Sequence, residues 1–252
     1  MVSLEKLCNF LDEYLDINAI SDACWNGLQY QGKSRVEKIV YCVDAGSEAF
    51  RKASSVKGDM IIVHHGHFWK NLNPSYSGWA KKRLEILKSG NISLYACHLP
   101  LDRHKEVGNN AQILSLLGAG IIDEFILNEG KNVGWIGEIP DGLSIKAIEK
   151  VLNKKLNTKS KLLAFGPERV RTVAVCSGGG GYGGFYEAMA KEVDLYITGD
   201  TTEIYYTAKD FGINVIFAGH HCTETIGLRA LCKVIEDRFE VESYFLDLPT
   251  GL

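Results

Sequence analysis

No apolar run in this chain reaches the length needed to cross a bilayer, and Met1-Val2-Ser3-Leu4-Glu5-Lys6 lacks the basic-then-apolar pattern of a secretory signal. The expectation is a cytoplasmic protein with no membrane partner. There is no basic excess either. The 28 Lys and Arg against 31 Asp and Glu give a formal charge of -3, which sets nucleic acid aside as a partner. The seven cysteines are odd in number, scattered and without a CxxC pair. That pattern argues for reduced thiols rather than a disulfide framework, and it offers no thiolate set for a structural zinc site.

Histidine is also sparse, with seven residues, but its placement is informative. His64, His65 and His67 form one stretch, His98 and His104 a second, His220 and His221 a third, each at or just after the end of an apolar run. The rest of the composition is that of a folded chain: 46% hydrophobic and 23% charged over 252 residues, enough for one large domain or two small ones.

Residues 4 to 15 place Leu4, Leu7, Cys8, Leu11, Tyr14 and Leu15 on one helical face, a core-packing pattern. Trp25-Asn26-Gly27-Leu28-Gln29 reads as a loop. Val36–Val43, Asp59–Val63 and Ile92–Cys97 read as strands, with helices over 47–54 and 78–88 between them and another over 109–117. Asn132 to Pro140 suggests a short strand ended by Pro-Asp-Gly, and Ser144 is placed to cap a helix over 145–155. From Val170 the opening order recurs: strand 170–176, helix 184–191, the stretch 194–200 mirroring 59–65, a helix, and strand 213–218. The prediction is an α/β protein built from duplicated strand-helix units, with mostly parallel sheets flanked by helices and a metal site between the two halves. Its parts are a first half over 1–125, a connecting segment over 126–168 and a second half over 169–252.

The repeat aligns His98-Leu99-Pro100-Leu101-Asp102 with His220-His221-Cys222-Thr223-Glu224, both His-x-x-x-carboxylate after a buried strand, and His64-His65 with Gly199-Asp200. Strand C-termini are where open α/β sheets carry their sites. His64, His65, Asp102, His220 and Glu224 therefore read as a mixed imidazole and carboxylate set suited to zinc, iron, manganese or nickel. The bland alternative, that each histidine only caps a strand, explains one of them better than it explains the set. Three imidazoles and two carboxylates exceed the needs of one tetrahedral ion, and a carboxylate can bridge two ions about 4 Å apart. His98 is open between ligand, supporting partner and proton carrier; His67 is a second candidate for proton transfer, and His104 and His221 read as pocket lining.

Gly178 to Gly184 contains a literal GxGxxG, but it lies in the second repeat rather than the first βαβ unit. A close backbone approach to the site is favoured over a dinucleotide loop, with a plain tight turn as the bland reading. Cys97, Cys176 and Cys222 have no assignable base and orienter, so a thiol nucleophile is disfavoured.

Trp25 to Gln29, Val63-His64-His65-Gly66, His98 to Asp102, Cys176-Ser177-Gly178-Gly179, Thr198-Gly199-Asp200 and Gly219 to Glu224 occur here in one order across nearly the whole chain. Together they resemble the NIF-three-like family of dinuclear-metal proteins, the GTP cyclohydrolase I type 2 homologues, in the short form without an inserted domain. That resemblance implies two divalent ions held by His64, His65, Asp102, His220 and Glu224, with Glu224 as the bridge. It also implies a toroidal homohexamer and a hydrolase acting on a small nucleotide-like molecule; a non-catalytic metal-binding or scaffold protein is the competing class. The chain departs from the family pattern at Trp25-Asn26, where an Asp often intervenes. It also departs between Asp200 and His220, where it has no histidine.

Overall fold

The computed structural model describes residues 1–71 and 78–251. In chain order the elements are β1 (Val2–Ser3), α1 (Leu4–Tyr14), β2 (Gly27–Tyr30), β3 (Arg35–Val36), β4 (Lys38–Asp44), α2 (Ser47–Ser55), β5 (Met60–His65), α3 (Gly78–Gly90), β6 (Ser93–Ala96) and α4 (Leu99–Asp102). Then come α5 (Asn109–Leu116), β7 (Gly120–Asn128), β8 (Lys131–Ser144), α6 (Ile145–Lys155), β9 (Lys161–Leu163), β10 (Arg169–Cys176), α7 (Gly181–Ala190), β11 (Leu195–Thr198), α8 (Tyr205–Phe211), β12 (Asn214–Phe217), α9 (His220–Arg238) and β13 (Glu242–Phe245). Two compact units result, one of residues 1–101 and 228–248, the other of residues 102–227 and 249–252. Among the described residues no helix is long and apolar enough to cross a membrane.

The first unit holds a five-stranded sheet in the order β13-β4-β5-β6-β2. β13, β4, β5 and β6 run parallel and β2 closes the edge antiparallel. The segment expected as a loop at Trp25–Gln29 thus ends in a strand, because Gly27 and Leu28 pair with Ala96 and Tyr95. Strands covered on both faces need apolar side chains on both, and Ile39 to Val43 and Met60 to Val63 are all buried. Val40, Cys42, Phe50, Ile61, Val63, Leu87 and Leu94 form the core of this unit.

The second unit holds a six-stranded sheet in the order β7-β8-β10-β11-β12-β9. Only β10, β11 and β12 are parallel; β7, β8 and β9 pair antiparallel. Alternate residues of the parallel strands feed two cores. Val173, Val175, Leu195, Ile197 and Ile216 pack with Ile113 and Leu114 of α5 and Ile148 and Leu152 of α6. Ala174, Cys176, Tyr196, Val215 and Phe217 pack with Phe185 and Ala188 of α7 and Ala208 of α8.

The duplication extends to single hydrogen bonds. At the start of β5, the Asp59 carboxylate accepts the N–H groups of Glu37 and Lys38. Just before β11, Asp194 accepts those of Arg171 and Thr172. The stretch 132–140 departs from its expectation. It belongs to a 14-residue strand that continues through Pro140-Asp141-Gly142, forming a long hairpin with β7. The pairing with β10 jumps from Glu138↔Thr172 to Leu143↔Val170, so Pro140 sits in a bulge where its missing N–H breaks no ladder bond. Ser144 caps α6 as expected, its hydroxyl accepting the N–H of Ala147 at 3.2 Å.

Within that hairpin, Gly134 is held to a glycine by space. A Cβ there would collide with the Phe125 ring and lie 2.9 Å from the Val175 carbonyl oxygen. Gly134→Ala is expected to lower stability by about 1–3 kcal/mol through overpacking, read as a lower urea midpoint with an unchanged m-value.

Candidate metal centre

In the first unit, three imidazoles converge where β5 and β6 end. His64 is fully buried in the last turn of the pleat, with His65 beside it and His98 in the segment after β6. Ring centroids lie 4.8 Å apart for His64 and His65, 5.0 Å for His64 and His98, and 5.4 Å for His65 and His98. One ligand nitrogen from each lies within 4.8 Å of the others.

Each ring is held from behind. His64 Nδ1 lies 2.9 Å from the Cys97 carbonyl oxygen, His65 Nδ1 lies 2.8 Å from Asp44 Oδ1, and His98 Nδ1 lies 2.9 Å from Asp22 Oδ1. A carbonyl or carboxylate oxygen only accepts, so Nδ1 carries the proton in all three and Nε2 is the lone-pair nitrogen. That is the tautomer in which histidine binds a metal ion through Nε2. Asp44 reaches His65 because the two are register partners at the ends of β4 and β5. Asp22 is buried and also accepts the Cys24 and Leu99 N–H groups and the Asn26 amide. Burial works against its charge, but the hydrogen bond and charge of His98, with those donors, hold its carboxyl down at about 2. Trp69 packs edge-on against His98 with centroids 5.2 Å apart.

In the second unit, α9 opens with His220, and Glu224 follows one turn later, on the same face. His220 Nδ1 lies 2.9 Å from Asp200 Oδ1 and Nε2 lies 3.2 Å from Glu224 Oε1. The hydrogen bond to Glu224, opposed by burial and aided by the charges of Glu224 and Asp200, raises the His220 pKa to about 9. A proton thus resides on Nε2, where the metal-bound form would carry a cation. Asp102 is buried, its Oδ1 accepting from Asn109 Nδ2 and Ser177 Oγ, each at 2.8 Å.

The glycine-rich loop between β10 and α7 serves this arrangement rather than a dinucleotide. Gly178 has φ +59°, and a Cβ there would strike Glu224 Oε1 and lie 3.1 Å from His220 Nε2. Its N–H donates to Thr223 Oγ1 and its carbonyl accepts from Gly199 and Asp200. α7 starts at Gly181, three residues before the expected start.

The donor set of nitrogen and carboxylate oxygen, with the rings pre-set at Nδ1, fits a divalent ion of the zinc, iron, manganese or nickel class. Cys176 does not fit a nucleophile: burial, then the charges of Asp102 and Glu224, push its thiol far up, and burial likewise raises Cys24 and Cys42 to about 11. His67 is buried, and burial followed by the charge of Arg83 pushes it down to about 4. His104 accepts the N–H groups of Glu106 and Val107, and His221 lines a cleft of about 650 Å³ with Lys159, Lys161 and Asp200. Sequence reasoning missed Asp22 and Asp44, and met Asp200 only as the repeat counterpart of His65 and as part of the family motif. Asp44 carries a signal, a carboxylate ending the strand before the one that ends in histidines; Asp22 lies in irregular chain and carries none.

A family profile described as Duf34/NIF3 (NGG1p interacting factor 3) matches residues 2–250. A relative from Archaeoglobus fulgidus, named GTP cyclohydrolase 1 type 2 homolog, is 41% identical over 252 residues and covers 100% of both chains. A solved structure described as "Structural genomics, protein ybgI, unknown function" superposes with a TM-score of 0.91 at 35% identity, again over 100% of both chains. The crystal structure of TTHA1606 from Thermus thermophilus gives 0.87 at 38% identity with the same coverage. The match runs end to end, without an inserted domain.

Asp44 is part-exposed, so removing it leaves the fold in place and frees the His65 ring to turn. Asp44→Ala is expected to weaken metal affinity about 10- to 100-fold, measured by chelator competition, with unchanged thermal melting of the metal-free protein.

Proposed function

The chain belongs to the Duf34/NIF3 family, and on that premise we propose that it is a hydrolase using two divalent metal ions to act on a nucleotide-like substrate. The observation that carries the reading is the cluster of His64, His65 and His98, in which one ring nitrogen from each lies within 4.8 Å of the others and each Nδ1 faces an oxygen; His64 and His65 are its proposed ligands and His98 stands beside them. The proposed ligands are His64, His65, Asp102, His220 and Glu224, with Glu224 the shared carboxylate. Ions so held supply Lewis acidity to a substrate oxygen and acidify water.

The protein's own residues do the rest. Asp44 and Asp200 orient His65 and His220, while Asn109 and Ser177 fix the Asp102 carboxylate. His98, aligned by Asp22, and His67, neutral at physiological pH, are the proposed carriers of the proton that leaves the nucleophile and reaches the leaving group. The shared name of the relatives supports a purine nucleotide as substrate. The seven free thiols suit a reducing cytoplasm. A ring-shaped homohexamer is part of the proposal; Tyr182, Tyr186, Tyr205, Tyr206 and Phe211, all exposed on α7 and α8, supply apolar surface for a contact between copies.

Protein reloaded with zinc, iron, manganese or nickel is expected to turn over GTP or a phosphoester, and Glu224→Gln to reduce turnover on the order of a hundredfold. Undiminished turnover by that variant at full metal content sinks the role of Glu224. No turnover by any loaded form leaves a non-catalytic metal-binding protein. Light scattering after size exclusion is expected to give the mass of six chains, and Phe211→Glu with Tyr206→Glu to shift it to smaller species; a monomeric parent protein removes the hexamer.

A further inference from the structure

The start of α3 brings together three side chains that the metal ligands do not explain. Trp79 is 57% exposed, an unusual placement for indole. Arg83 lies one turn on, its guanidinium carbon 4.8 Å over the Trp79 ring. The guanidinium is half-buried: burial lowers its pKa, and the charge of the nearby Asp44 carboxylate opposes that shift. A partly desolvated guanidinium gains from an anion brought against its free N–H groups. Gly46 lies beside the guanidinium, where a Cβ would be 4.0 Å from Arg83 Nη2. His67 completes the group. It is 4% exposed, meets Trp79 edge-on with centroids 5.7 Å apart, and among the described residues its Nδ1 has no hydrogen-bond partner.

Asp44 ties this group to the candidate metal centre, since the carboxylate that acts on Arg83 also holds His65. A flat ring face, a fixed cation and a buried imidazole nitrogen are complementary to one kind of molecule. We propose that Trp79, Arg83 and His67 form the recognition site for a phosphate-bearing purine, the base lying on Trp79, the phosphate on Arg83, and a polar edge of the ligand meeting His67 Nδ1. This rests on the nucleotide-like substrate proposed above and adds the residues that select it. Arg is suited to the role because its planar fork matches phosphate oxygens and its face stacks on indole.

The test is calorimetric binding to the metal-loaded protein, with GMP, guanosine and ribose 5-phosphate as probes. GMP is expected to bind, with guanosine and ribose 5-phosphate each weaker by about tenfold or more. Arg83→Gln is expected to weaken GMP about tenfold and leave guanosine unchanged, with Arg83→Lys intermediate. Trp79→Ala is expected to weaken GMP and guanosine alike and leave ribose 5-phosphate unchanged. Equal melting temperature and metal content certify each variant as folded. No GMP binding by the parent protein, equal affinity for GMP and guanosine, or unchanged GMP affinity in Arg83→Gln overturns the proposal. Because binding is read without turnover, Arg83-dependent GMP binding in an inactive protein upholds this site while the hydrolase reading falls. Turnover of GTP with Arg83-independent binding does the reverse.

Discussion

Every histidine proposed as a ligand on a sheet end or helix start is governed by one constraint: its Nδ1 faces an oxygen that can only accept. The Cys97 carbonyl, Asp44 and Asp200 each fix the proton on Nδ1 of His64, His65 and His220, and Asp22 does the same for His98. An imidazole so held cannot swap tautomers or rotate without losing a hydrogen bond, charge-assisted where the acceptor is Asp44, Asp200 or Asp22. The sheets supply the backing. β4 and β5 must run parallel and in register for Asp44 to stand beside His65, and Gly178 must accept the Gly199 and Asp200 N–H groups for the loop carrying Asp200 to turn toward α9.

The buried carboxylates follow from the same demand. Asp102 and Glu224 are nearly inaccessible, and carboxylates in such places need donors or a cation. Asp102 accepts hydrogen bonds from an amide and a hydroxyl; Glu224 accepts the hydrogen bond from His220 Nε2 that raises the His220 pKa. Carboxylate on both sides of one imidazole makes a site that holds positive charge, and proton and divalent ion compete for it. Gly178 is the steric condition for this, since any side chain there would occupy the space between His220 and Glu224.

Much of the fold was legible. The apolar runs at Ile39–Val43, Met60–Val63 and Val173–Cys176 are fully buried strands because both sheet faces are covered, and such runs need no tertiary information to be recognised. The recurrence of strand and helix was legible for the same reason, and its alignment of His98–Asp102 with His220–Glu224, together with the family resemblance, gave the expected ligand set. β8 was misread because Pro140-Asp141-Gly142 is a stop signal locally, and only the pairing partner shows that it bulges and continues. β2 was misread as a loop because four residues beside a glycine carry too little periodicity to outweigh it; its strand character comes from β6.

By itself the sequence determined the donors and their order: where apolar runs end in histidine, that Glu224 follows His220 by one helical turn, and that Ser144 starts a helix. These are local facts, set by side-chain chemistry and by spacing along the chain. Tertiary structure alone decided which oxygen stands behind each ring. Asp22 reaches His98 across 76 positions, Ser177 reaches Asp102 across 75, and Asp200 reaches His220 across 20. No local periodicity encodes such pairs. They exist because parallel strands deliver their C-terminal ends to one edge, to which irregular chain such as that carrying Asp22 also folds, and a hydrogen bond is made by whatever stands there within about 3 Å.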